Sequence, residues 1–102
     1  MKFDHVALRS ENIERSIEWY QQHCDAKVLY QDETWGLIDA NGGKIAFVIS
    51  HQHPPHVGIC IDKLTRETRF AGKVFKKHRD GSSSCFVKDP DGNFVEFLLW
   101  DE

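Results

Sequence analysis

The stretch Phe86-Val87-Lys88-Asp89-Pro90-Asp91-Gly92-Asn93-Phe94-Val95-Glu96-Phe97 carries the clearest structural signal in the chain. The residue types of 89–92 favour a tight turn, and the flanking segments 83–88 and 93–100 are apolar enough to form strands. Side chains alternate between the two faces of a strand, so Glu96 shares a face with Phe94, Leu98 and Trp100. A carboxylate among apolar neighbours is rare unless it is paired or binds a metal ion.

Two segments in the first half of the sequence resemble segments in the second half. Residues 39–48 align with 89–98, and the His-Val pair at position 5 aligns with the His-Val pair at position 56. The two echoes have the same order and nearly the same spacing, which predicts a duplicated unit. We therefore predict one domain built of two modules, residues 1–50 and 55–102, joined by a linker with two prolines.

The local patterns predict an α+β fold with a βαβββ order in each module. In the first module a helix over 13–24, capped by Asn12, follows strand 2–8. The expected strands are 2–8, 27–31, 34–39 and 44–50, and then 56–61, 73–78, 83–88 and 93–100. Residues 63–72 hold few apolar positions, so we expect a short helix or an irregular segment there.

Three residues in predicted strands have the chemistry of metal ligands: His5, His56 and Glu96. Two neutral imidazoles and a carboxylate suit a divalent transition metal. Three protein ligands leave positions for water or substrate, as in catalytic sites. The alternative is that each histidine is a half-buried, hydrogen-bonded strand residue and that Glu96 faces solvent.

Composition excludes several classes of protein. The chain has 102 residues and a net charge of −3, which argues against broad nucleic-acid binding. The longest apolar run, 45–49, is far shorter than the roughly 20 residues of a membrane helix, and no secretory signal is visible. Three cysteines with no close pair argue against a disulfide framework, so we expect a cytoplasmic protein.

Together these features resemble the vicinal oxygen chelate superfamily, which includes glyoxalase I, bleomycin-resistance proteins, fosfomycin-resistance proteins and extradiol dioxygenases. The final turn and the Glu96 strand are the most specific part of the resemblance, which is weakest at 62–80. The other segments that carry it are 5–8, 12–20 and 56–59. The resemblance implies a cup-shaped, eight-stranded mixed sheet made of two βαβββ modules.

The resemblance also implies one divalent metal ion, Fe, Mn, Zn or Ni, held by His5, His56 and Glu96. It implies a small substrate that chelates the metal through adjacent oxygens, with Glu96 as a catalytic residue and lyase, isomerase or dioxygenase chemistry. Many relatives have a fourth ligand where this chain has Ala46 or Phe47, which disfavours glyoxalase-type isomerisation. The alternatives are a metal-free protein that sequesters a ligand or drug, as bleomycin-resistance proteins do, and a metal-bearing regulator without turnover.

Several further residues are candidates for a substrate cavity or a partner surface. Tyr30, Trp35, Cys60 and Trp100 are candidate substrate-binding residues, although a core position is more typical of each. His51 and His53 are more typical of an exposed linker than of extra ligands. Segment 63–79 has seven Lys or Arg against one acidic residue, which suits an anionic substrate, a solvated face or the partner subunit of a homodimer.

Overall fold

The computed structural model describes residues 1–49 and 53–100. His51, one of the two linker histidines, lies outside the described residues. The described elements, in chain order, are β1 Lys2–Arg9, α1 Ile13–Cys24, β2 Lys27–Gln31, β3 Trp35–Ala40, β4 Gly43–Val48, β5 His56–Cys60, α2 Lys63–Arg69, β6 Lys76–Lys77, β7 Ser82–Lys88 and β8 Phe94–Trp100. The expected order of elements is therefore confirmed.

The chain divides into two compact units, one of residues His5–His56 and one of Met1–Asp4 with the chain from Val57 onward. In the first unit the strands follow the order β2-β3-β4-β1. β1 pairs with β4 in parallel, whereas β2–β3 and β3–β4 are antiparallel. In the second unit the order is β5-β8-β7-β6, and both β6–β7 and β7–β8 are antiparallel.

Helix α1 begins and ends where the local sequence dictates. The Asn12 side chain accepts a hydrogen bond from the Arg15 N–H, which satisfies one of the amides that the first helical turn leaves without a partner. Asp25 adopts a left-handed conformation at φ 50° and ends the helix. Ile13 and Ile17 are buried on one side of α1, as their four-residue spacing requires.

The core of the first unit lies between α1 and one face of the strands. It consists of the buried residues Ile13, Ile17, Ala26, Ile38 and Phe47. Gly36 allows the helix to approach closely, since a Cβ there would lie 2.7 Å from Ile17 Cδ1. The opposite face of the same strands carries His5, Ala7 and Ala46.

The second unit contains the turn at residues 89–92, which is the clearest structural signal in the sequence. The Asp89 N–H donates to the Asn93 carbonyl at 2.8 Å, and Gly92 adopts a φ of 87°, which favours glycine. The Asn93 side chain and backbone donate to the Asp89 carboxylate and hold its pKa below the usual range. The predicted turn between two antiparallel strands is confirmed.

One predicted strand is wrong in extent. The pattern predicts a strand over 73–78, but β6 contains only Lys76–Lys77. Gly72 has a φ of 86°, and the Lys73 N–H donates to the Phe70 carbonyl, so the chain is still turning after α2. The sheet ladder begins only once that turn is complete. Segment 63–72 contains a helix over Lys63–Arg69, capped by the Asp62 side chain.

The fold class is α+β with an eight-stranded mixed sheet. No helix in the described ranges 1–49 and 53–100 has the length and apolar character to cross a membrane.

Candidate metal centre

His5, in the middle of β1, and His56, at the start of β5, face each other. Their Nε2 atoms lie 3.2 Å apart, and the rings meet edge to face with centroids 5.3 Å apart. His56 is only 8% exposed. Two imidazoles whose Nε2 atoms lie this close can both bind the same cation.

The backbone sets the tautomer of His56. Its Nδ1 lies 2.8 Å from the Pro54 carbonyl oxygen, and because a carbonyl only accepts, Nδ1 must carry the proton. In the neutral ring Nε2 then presents its lone pair. A carbonyl partner on the far nitrogen is the usual support of a metal-binding histidine, since it fixes both the tautomer and the ring orientation.

Glu96 lies on β8 and pairs across the ladder with Phe86. Its side chain is half-buried. In the described part of the chain, His5, His56 and Glu96 are the one group of three or more His, Cys, Asp or Glu with ligand atoms all within 4.8 Å of one another.

The dimensions of this group fit a divalent metal. Nitrogen ligands lie about 2.0–2.1 Å from zinc, which places two of them about 2.9–3.4 Å apart for bond angles between octahedral and tetrahedral values. The observed 3.2 Å between the Nε2 atoms falls inside that range. Two imidazoles and one carboxylate are also a donor set used by catalytic zinc and non-haem iron sites.

Ala46 lies on the same sheet face as His5. Ala46 pairs with Ala7 on β1, two residues after His5, so both lie on the face that carries His5. Phe47 points the other way, into the core beneath α1. Of the two positions where the resemblance implies a fourth ligand in many relatives, Ala46 is therefore the one on the face of His5.

Tyr30 and Trp35 form a stacked aromatic pair in the first unit. Their ring centroids lie 4.6 Å apart at an interplanar angle of 25°, and both rings are partly exposed. Trp35 pairs with Val48, and Tyr30 pairs with Leu37. Both aromatic residues therefore lie on the face of Ala46. Both proposed substrate-binding residues are therefore on the candidate ligand face and outside the core beneath α1.

Asp32 supports this aromatic pair from the connecting turn. Its carboxylate accepts hydrogen bonds from the Tyr30 hydroxyl and from the Thr34 hydroxyl and amide. These bonds, led by that of Tyr30, hold the pKa of Asp32 far below its ordinary value. The ionised carboxylate thus fixes the turn between β2 and β3 at neutral pH.

The other two proposed substrate-binding residues lie on β5 and β8. Cys60 is half-buried at the end of β5, four residues after His56. Trp100 is 46% exposed and, by strand alternation, shares the face of Glu96. Their strand positions are compatible with a role beside the candidate ligands.

The sequence analysis missed a polar pair in the second unit. His78 Nε2 lies 2.6 Å from Ser84 Oγ, and Ser84 is only 3% exposed. Ser84 pairs with Leu98, so it lies on the face of Glu96. The available signal was three consecutive serines inside an otherwise apolar strand, but only the fold of the turn 78–82 brings a histidine to one of them.

Solved structures of low sequence identity share this fold. Methylmalonyl-CoA epimerase from Mycobacterium tuberculosis superposes with a TM-score of 0.76 at 15% identity, over 99% of this chain and 89% of the epimerase. A glyoxalase/bleomycin resistance protein/dioxygenase superfamily member from Vibrio splendidus 12B01 gives 0.69 at 12%, over 93% and 96%. The Mn(II)-bound glyoxalase from Novosphingobium aromaticivorans gives 0.69 at 18%, over 99% of this chain and 38% of that protein.

No protein-family model matches the sequence. The fold and topology nevertheless define the class: the chain has the vicinal oxygen chelate fold. The structural comparisons thus confirm the fold that the sequence resemblance implied.

Proposed function

We propose that this protein is a divalent-metal-dependent enzyme that acts on a small substrate with two adjacent oxygens. The observation that carries the proposal is the convergence of three ligand atoms, from His5, His56 and Glu96, within 4.8 Å of one another. The relation to solved structures named as an epimerase and as a Mn(II)-bound glyoxalase supports it. The ion itself would be Fe, Mn, Zn or Ni.

The bound ion would supply Lewis acidity that stabilises negative charge on a substrate oxygen. The residues of the chain would position the ligand atoms, supply negative charge and contact the substrate. The Pro54 carbonyl holds His56 in the tautomer that presents Nε2, and this atom lies 3.2 Å from the Nε2 of His5. Glu96 contributes the negative charge of the ligand set and is the proposed catalytic carboxylate. Tyr30, Trp35, Cys60 and Trp100 are proposed to contact the substrate.

The proposed reaction class follows from the absence of an acidic side chain at position 46. With Ala46 in place of a second acidic ligand, Glu96 is the carboxylate available for proton transfer within the ligand group. A reaction that divides proton transfers between two ligand carboxylates is therefore disfavoured. Lyase, dioxygenase and single-base isomerase chemistry remain the proposed classes.

We further propose a cytoplasmic location and a homodimeric state. All three cysteines are thiols, as expected in a reducing compartment. Several large apolar side chains are well exposed, among them Leu64 and Val74, which favours association with a second copy.

The first test is the metal content of the purified protein, by plasma mass spectrometry. After chelation and reloading with Mn²⁺, Fe²⁺, Zn²⁺ or Ni²⁺ in turn, we expect about one ion per chain, as three ligands with open positions bind one ion. Iron or manganese as the native ion would favour oxygenation or ring opening, and nickel or zinc would favour isomerisation. A chain that binds none of the four ions would overturn the enzyme proposal and favour a metal-free binding protein.

A second prediction concerns the missing ligand. The Ala46→Glu variant places a carboxylate on the face of His5 and should raise metal affinity by about tenfold or more, since it adds a charged ligand to the set. Calorimetric titration of the apoprotein measures this change. The Ala46→Gln variant has nearly the same shape without the charge and is the matched control. Equal affinity in the two variants would show that position 46 does not face the metal.

A further inference from the structure

We propose that His78 and Ser84 form a subsite that binds an oxyanion group of the substrate, a carboxylate or a phosphate. This inference rests on the proposed function, since it places the subsite on the face that carries Glu96. It names a substrate class, small molecules with an anionic group in addition to the oxygens that bind the metal.

The first argument is the geometry of the pair. His78 Nε2 and Ser84 Oγ lie 2.6 Å apart. Besides the hydrogen bond between these two atoms, the pair has one further N–H or O–H group that can donate. If Nε2 carries the proton, it donates to Ser84 and leaves the hydroxyl proton available. If Ser84 donates to Nε2, the neutral ring carries its proton on Nδ1 and donates from there. In either tautomer the pair can donate to an acceptor oxygen.

The second argument is the position of the pair relative to Glu96. Ser84 pairs with Leu98, and Glu96 pairs with Phe86, so Ser84 and Glu96 are diagonal neighbours on one face. Such neighbours lie about 7–8 Å apart between Cα atoms. A small substrate with a span of a few bonds can therefore reach from Glu96 to the His78–Ser84 pair.

The third argument comes from the two units compared strand by strand. Ala46 pairs with Leu37 in the first unit, as Glu96 pairs with Phe86 in the second. Two residues earlier on β3 and β7 stand Trp35 and Ser84. The duplicated fold thus carries an aromatic stack at one position and a hydroxyl–imidazole pair at the equivalent one. A core strand has no need of that polar pair, because an apolar side chain would pack there at lower cost.

One cationic side chain lies beside the pair. Lys76 pairs with Ser84 across the ladder and lies on its face, whereas Lys77 pairs with Ser83 on the other face. The nearby carboxylate of Asp80 accepts hydrogen bonds from the amide and hydroxyl of Ser82. Lys76 thus supplies a positive charge that attracts an oxyanion on the face of Ser84.

The test is a titration of metal-free protein with inorganic phosphate and, separately, with acetate, at constant ionic strength. The imidazole NMR signals of His78, assigned with the His78→Gln variant, are the readout. We expect a saturable shift, and a loss of affinity of about tenfold or more in Ser84→Ala, since charge-assisted hydrogen bonds are the stronger ones. Tighter binding of phosphate than of acetate would identify a phosphate group, and the reverse a carboxylate.

Ser83→Ala is the matched control, because Ser83 lies next on β7, is equally buried at 5% exposure and faces the other side. It should bind as wild type does. A linear, unsaturated shift, or equal affinities in Ser83→Ala and Ser84→Ala, would overturn the proposal. If Ser84→Ala fails to fold, loss of phosphate protection against thermal unfolding in His78→Gln gives the same answer. Metal stoichiometry is measured separately, so failure of the subsite and failure of the metal centre are distinguishable.

Discussion

The His56→Ala variant should lose its bound metal ion, with an affinity at least about a hundredfold below that of wild type. Removal of a group that merely supports a ligand already costs about 10–100-fold, and His56 is proposed as a ligand itself. Its Nε2 lies 3.2 Å from that of His5. Calorimetric titration of apoprotein with Zn²⁺ and Mn²⁺ measures the loss.

His53→Ala is the matched control for this experiment. His53 is exposed in the linker, three residues before His56, and is the nearest histidine along the described chain. It should keep wild-type affinity. The ligand set proposed here would be wrong if His53→Ala lost the metal and His56→Ala retained it. His5→Ala and Glu96→Ala should behave as His56→Ala does, because the same group of three atoms would be broken.

The Phe47→Ala variant should lower the free energy of unfolding by about 3–5 kcal/mol. Phe47 is 2% exposed, packs in the core cluster with Ile17 and Ile38 and contacts the Tyr20 ring at a centroid distance of 5.1 Å. Truncation leaves a cavity beneath α1 that the helix cannot fill without moving. Since domains are stabilised by only about 5–15 kcal/mol, this single change should bring the chain close to unfolding.

Urea unfolding followed by circular dichroism measures the effect. Trp19→Ala provides the comparison, since Trp19 is on the same helix as Ile17 but is 51% exposed, and surface substitutions change stability by about 0.5 kcal/mol or less. A Phe47→Ala variant as stable as Trp19→Ala would mean that the core does not lie between α1 and β4.

The local elements were predictable because short-range chemistry dictates them. The bounds of α1, Ile13–Cys24, match the prediction because an N-cap and a four-residue apolar repeat coincide. The turn at 89–92 was predictable because its residue types satisfy their own backbone through Asp89. The extent of β6 was not predictable, because a strand exists only where a partner strand supplies hydrogen bonds, and β7 meets this segment at just two residues.

Side-chain pairs between distant segments were less predictable than the elements. His78 and Ser84 meet only because the turn that includes Asp80 and Gly81 folds the chain back at that point. Sequence spacing alone does not say which of three consecutive serines faces the histidine. A shift of one residue in the register would have presented Ser83 instead.

The sequence by itself determined the residue types of the candidate site, the duplicated order of the strands and the turn that precedes Glu96. It also identified position 46 or 47 as the place where a fourth ligand is absent. Only the tertiary structure decided that Ala46, and not Phe47, lies on the face of His5. It also decided the 3.2 Å approach of the two histidines and the Pro54 carbonyl that sets the tautomer of His56. The physical reason is that alternation and turn chemistry act over a few residues, whereas strand register and the approach of distant side chains depend on the packing of the whole unit.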